Sequence, residues 1–252
     1  MSSNPPDTAA GPAPGAPAGE PRPRNVRRIV LILGLVLVLA VVGTAAAAET
    51  YYRRQNARCI ATQVEKDLGS KVSVHFGPKP LLLTAIDHKV QYVTLDSDDA
   101  KFGPAVGMKV HVRLNDITLV DGGRGGADVD NSNAYATWSN DGIEQTLSGL
   151  VSGVQSDPSS DTLDVKVLGG LADLRLKPQI VGDQIQVSTQ SAQLLGLGLP
   201  TDLVDGIVNL MTQSLQGYPL DLKPTAIKVT DNGIRVDLTG GATKLQGGNG
   251  HC

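Results

Sequence analysis

MKVHVRLNDITL, residues 108–119, reads as a β-strand with one apolar side. Met108, Val110, Val112 and Leu114 alternate with Lys109, His111, Arg113 and Asn115, the period-two pattern of a chain buried on one face only. The phase then slips, since Ile117 and Leu119 are the next apolar positions; a bulge near Asn115 and Asp116 is expected to keep both stretches on the same face. Outward from this segment the alternation repeats. Val72, Val74 and Phe76 show it upstream. Leu163, Val165 and Val167 show it downstream, as do Leu174 and Leu176, Ile185 and Val187, Ile227 and Val229, and Ile234, Val236 and Leu238. Gly182-Asp183 and Asn232-Gly233 are expected two-residue hairpin turns between such runs.

Three helices interrupt the strands. Residues 55–68 place Ala57, Ile60, Ala61, Val64 and Leu68 on one stripe, and Gly69 ends it. A second helix is expected over residues 141–154, with Ile143, Leu147, Leu150, Val151 and Val154 on one face and Ser139 or Asn140 as its cap. A third follows Pro200, carries Leu203, Ile207, Leu210, Met211 and Leu215 along one side, and closes at Gly217 and Pro219. One-sided alternation joined by tight turns implies antiparallel sheet with helices on its apolar face, an α+β class.

The amino-terminal region supplies an address. Residues 1–28 form a Pro/Ala/Gly-rich tail with little to bury, expected to be disordered and cytoplasmic. Arg22, Arg24, Arg27 and Arg28 then precede IVLILGLVLVLAVVGTAAAA, residues 29–48, which carry no charge. As a helix this run reaches about 30 Å, the hydrocarbon thickness of a bilayer. Its basic flank predicts a cytoplasmic amino terminus and an extracytoplasmic remainder. Two fates stay open: a retained single-pass anchor, favoured by the full span and the interface-type residues Tyr51, Tyr52, Arg53 and Arg54, or a signal segment cleaved near Ala48. Residues 49–245 form the extracytoplasmic domain, and residues 246–252 a flexible tail. Cys59 and Cys252 stand at the two ends of that domain, so one disulfide or two unpaired thiols are both compatible with the sequence.

Composition removes several functions. Lys plus Arg number 22 against 25 Asp plus Glu, a net charge of −3, and no basic domain is hidden behind the neutral total. Aromatic residues make up 3%, which leaves no stacking platform for single-stranded nucleic acid. His75, His88, His111 and His251 show no metal-ligand spacing. The sequence GLVSG at residues 149–153 lacks nucleophile-elbow spacing, and GGRGG at residues 122–126 lacks the Lys-Ser/Thr that grips phosphate and is expected as a hairpin loop. DVDNSN at residues 128–133 has Asn133 where a calcium loop needs glycine. Asp96, Asp98 and Asp99 read as a solvated loop. The chain is therefore read as non-enzymatic, without cofactor, metal or nucleic-acid partner. What stands out is apolar: LLGLGL at residues 194–199 and PLLL at residues 80–83, leucines among glycines and prolines that either fill the ends of the core or rim an opening or a bilayer contact.

VSVHFGPKPLLL at residues 72–83, ATWSNDGIEQTL at residues 136–147, and the closing LGLGLPTDLVDGIV and YPLDLKPTAIKVTDNGIRVDLTG, behind an amino-terminal membrane segment, resemble the LmeA-like phospholipid-binding proteins of actinobacterial envelopes. The likeness runs from about Tyr51 to Leu245, and the order of the motifs is its specific part. It implies a tubular lipid-binding-like fold, a curved antiparallel sheet wrapped around helices with an acyl chain between them. It also implies a membrane-anchored protein of the periplasm or cell envelope that binds phospholipid and assists envelope lipid or lipoglycan assembly, with envelope-assembly proteins as possible partners and no catalytic residues to carry over. On that reading Leu81 and Leu82 lie at a rim, and Val110, Val112, Leu114, Leu174, Leu176, Ile207, Leu210 and Met211 line the interior. The bland alternative is an envelope assembly or interaction protein whose aliphatic core is filled.

Overall fold

Alternating strands that cannot bury their apolar sides alone must stack them against something, and here they form two open antiparallel sheets with helices between and beside them. The computed structural model describes residues 24–68, 70–102, 105–194, 200–216 and 218–246. The chain divides into two units, Met1–Ala47 and Ala48–Cys252. In the first, the described residues are helical, and the side chains from Leu31 to Val42 are exposed. They belong to α1 (Arg24–Leu68), a helix long and apolar enough by composition to cross a membrane. The helix expected at residues 55–68 is the far end of α1, where Ala57, Ile60 and Ala61 pack against the second unit's sheet.

The second unit carries β1 (Ser73–Phe76), α2 (Leu81–Asp87), β2 (Lys89–Phe102), β3 (Ala105–Val120) and β4 (Gly126–Ser139). Next come α3 (Asn140–Thr146), β5 (Val151–Asp157), β6 (Thr162–Val167), β7 (Ala172–Val181) and β8 (Gln184–Leu194). The chain closes with α4 (Thr201–Ser214), β9 (Lys223–Thr230), β10 (Gly233–Gly240) and β11 (Thr243–Leu245). The seven-stranded sheet runs β1-β2-β3-β4-β10-β9, with β11 also on β4; β5 to β8 form the second sheet as a meander. The class is α+β, every ladder in both sheets is antiparallel, and β9 lies beside β5, β7 and β8.

Three local expectations are corrected. The second helix stops at Thr146, and Val151 and Val154 belong to β5. Ser139 caps α3, its Oγ accepting from the Gly142 N–H at 3.1 Å, and Ile143 and Leu147 are buried as the stripe requires. Gly149 then adopts φ +84°, a left-handed turn that ends helical propagation, and Val151 pairs with Val167. The bulge near Asn115–Asp116 is instead a change of phase shared by three strands. Leu114 and Ile117 are both buried, and so are Val93 and Val90 opposite them on β2 and Ser132 and Val129 on β4, with the register unbroken. Asp116 accommodates the kink at φ 50°. Finally, the β9–β10 loop is Asp231-Asn232, because Gly233 already pairs with Thr230. Gly233 has φ +131°, and a Cβ there would sit 2.0 Å from the Trp138 carbonyl oxygen. The Gly182-Asp183 turn stands where expected, between Val181 and Gln184.

Candidate functional site

Rows of residues across the seven-stranded sheet define its apolar face. One row is Met108, Trp138, Ile234 and Val229; the next is Ser97, Val110, Ala136, Val236 and Ile227. Below it come Leu95, Val112, Ala134, Leu238 and Pro224, then Val93, Leu114, Ser132 and Gly240. Ala136, Ala134 and Ser132 thus put small side chains on β4 between Val110, Val112 and Leu114 of β3 and Val236, Leu238 and Gly240 of β10. All three are buried, so larger side chains from elsewhere in the fold cover this part of β4.

Two filled clusters occupy the ends of this face. Trp138, 1% exposed, anchors the first, donating its indole N–H to the Val106 carbonyl at 3.1 Å. The same cluster takes in the second sheet and α4: Leu174, Leu176, Ile207 and Met211 are fully buried in it, with Leu210 half-buried at its margin. Tyr218 packs against it too. Burial pushes its phenol above the ordinary tyrosine range, and its hydroxyl donates to the Leu215 carbonyl at 2.6 Å. The second cluster holds Leu114 with Val90, Val93, Ile117 and Val129, covered by α1. Val110 and Val112 lie between and are only half-buried, and Val112 and Leu220 touch both clusters. This seam is an apolar strip with filled ends and a more open middle. Ser132 at its lower edge carries a buried hydroxyl with no hydrogen-bond partner.

Of the nominated residues, the structure brings Val110, Val112, Leu174, Leu176, Ile207, Leu210 and Met211 around one cluster and Leu114 into the other. Leu81 and Leu82 stand apart on α2, Leu81 half-buried and Leu82 exposed. Sequence reasoning missed Ala134 and Ala136, although the A-Y-A-T-W alternation at residues 134–138 carries the signal, and it missed Leu220, for which no local signal exists. It also missed the pair that holds α2: Glu49 accepts from the Leu81 N–H at 2.7 Å, the Leu82 N–H at 3.1 Å and Arg53 Nε at 2.6 Å. The residues 194–199 fall largely outside the described residues. So does Cys252, and with it the pairing expected of Cys59, which is half-buried on α1.

A cleft of about 250 Å³, mostly on the polar face of the same sheet, is lined by Asp96, Ser97, Asp98, Lys109, Val110, His111, Tyr135 and Thr137. His111 Nδ1 is 2.5 Å from Asp96, its ring stacks on Tyr135 at 5.1 Å, and Arg235 covers Tyr135 at 4.1 Å. Two carboxylates beside one lysine make this a poor seat for phosphate. Arg113 lies over the Tyr92 ring at 3.7 Å, and Arg175 pairs with Asp164 at 2.7 Å, so both arginines serve the wet faces. Among the described residues no group of three or more His, Cys, Asp or Glu is placed to hold a metal.

Comparison with known proteins agrees with the apolar reading. The family model of LmeA-like phospholipid-binding proteins matches residues 43–239. Uncharacterized proteins of Mycobacterium tuberculosis (strain ATCC 25618 / H37Rv) and Mycobacterium bovis are 24% identical over 231 residues, which cover 86% of this chain. The chain spans 66% of the length of those relatives. No solved structure matches. With a match over residues 43–239, most of its length, this chain belongs to the LmeA-like phospholipid-binding family.

Proposed function

We propose that this protein is a membrane-anchored, extracytoplasmic phospholipid-binding or transfer protein that assists envelope lipid or lipoglycan assembly, with an acyl chain held along the seam at Val110 and Val112. The observation that carries the reading is the half-buried pair Val110 and Val112 between two filled clusters, beside the small side chains of Ala134 and Ala136. An alkyl chain laid there gains about 0.8 kcal/mol for each methylene removed from water, so about ten or more buried methylenes are needed for micromolar retention. The anchor is residues 29–48, with the amino terminus cytoplasmic by its basic flank. Lipid entry requires Leu210 and Leu220, both half-buried, to move aside, while Leu174, Leu176, Ile207 and Met211 form the wall behind them.

The complete closure of those four wall residues also favours a second reading, a non-enzymatic envelope assembly or interaction protein with a solid core. One experiment separates them. The full chain is purified in detergent, extracted, and its lipids are measured by mass spectrometry beside the Val112→Trp variant. The first reading expects stoichiometric phospholipid in the parent and at least a tenfold loss in the variant, with cooperative unfolding retained. Absence of lipid from the parent, together with no uptake of a fluorescent phospholipid, supports the second.

A further inference from the structure

The helix α2 is built inside out. Thr84 turns toward β2 and is buried, with its hydroxyl 3.4 Å from the Lys89 carbonyl, while Leu82, Leu83 and Ile86 are 40%, 49% and 77% exposed. Positions 82, 83 and 86 fall within about 100° of one another around a helix, so the three form one apolar patch facing away from the protein. Seven residues are too few to hold a helix by themselves. The structure holds this one from α1: Glu49 receives both leading N–H groups, and Arg53, bound to Glu49, donates to the Phe76 carbonyl at 3.3 Å and the Lys79 carbonyl at 2.7 Å. At the other end Lys79 pairs with Asp87.

The anchoring residue says what covers the patch. Glu49 is the first charged residue after the twenty uncharged positions 29–48, and Tyr51 and Tyr52 beside it are exposed. A residue one step beyond a membrane span sits at the headgroup level, where tyrosines also concentrate, and whatever its carboxylate grips is within a few ångströms of that level. We propose that α2 is a second membrane contact, a short apolar foot that Glu49 and Arg53 hold against the lipid interface beside the exit of α1. Its Leu82, Leu83 and Ile86 enter the boundary between headgroups and acyl chains. Exposed Arg54 adds a positive charge at that level, which suits anionic phospholipids. The inference rests on the anchored reading of residues 29–48.

The test uses the full chain in vesicles of phosphatidylcholine and phosphatidylglycerol, with and without brominated acyl chains. Trp138 is buried and gives a constant background. Ile86→Trp should emit blue-shifted and lose at least half of its added fluorescence to the bromines. Leu171→Trp, at a 61% exposed position in the β6–β7 turn, should not. Adding Glu49→Gln to Ile86→Trp should reduce the quenching, because the foot loses its tether. Equal quenching of Ile86→Trp and Leu171→Trp, or none for Ile86→Trp while the chain survives an alkaline carbonate wash, overturns the foot and leaves the anchor standing. A chain that washes off overturns both.

Discussion

Ser132 and Gly240 are cross-strand partners on β4 and β10, and they constrain each other. The Ser132 hydroxyl is buried without a partner, and a Cβ placed on Gly240 would lie 2.3 Å from it. An unpaired buried hydroxyl costs about 1–3 kcal/mol, so Ser132→Ala should stabilise the protein by about 1 kcal/mol. Gly240→Ala alone should destabilise by about 2 kcal/mol through overpacking. Combined, the two changes should lose most of that penalty, a coupling of at least about 1 kcal/mol in a double-mutant cycle followed by denaturant unfolding in detergent. Additive effects would show that the hydroxyl and the glycine do not meet. In the sequence Ser132 stands between Asn131 and Asn133, so neither its burial nor its lack of a partner is visible there, because what covers it comes from β10, about a hundred residues away.

Among the elements, the boundary between α3 and β5 shows where local reading fails. Ile143, Leu147, Leu150, Val151 and Val154 fit a helical stripe, yet Val151 and Val154 lie on β5, where Val151 pairs with Val167. Short apolar runs are ambiguous between the two periods, and the decision fell to the strands of the second sheet. Gly149 is the local mark of that decision: its φ is +84° and its Cβ direction is open. Gly149→Ala should therefore cost about 1–2 kcal/mol from backbone conformation alone, with Gly149→Asn costing less, as read by thermal unfolding. Equal stability of the alanine variant would mean that this turn can relax into a helix. By contrast α4 was legible in its main part, since Ile207, Met211 and Leu215 of the expected face are buried, with Leu203 and Leu210 half-buried, and Pro200 precedes its first turn.

For the whole molecule, a disulfide between Cys59 and Cys252, one of the two states that the sequence allows, would join the helix under the sheet to the end of the chain. Under the chain-entropy model a loop of that length contributes on the order of 4–5 kcal/mol. Alkylation of the denatured, unreduced protein is expected to label neither cysteine, and labelling of both would remove the tie. The class of the fold, the apolar span and the hairpin strands were legible from residue order, because they depend on periodicity and composition over a few turns or a few strand residues. The partition into two sheets, the shared kink at Asp116, the seam left half-open at Val112 and the outward face of α2 were decided by the tertiary structure. Burial depends on what arrives from the far side: Leu220 packs against both apolar clusters, and Glu49 accepts from the Leu81 N–H, across sequence distances at which periodicity carries no information.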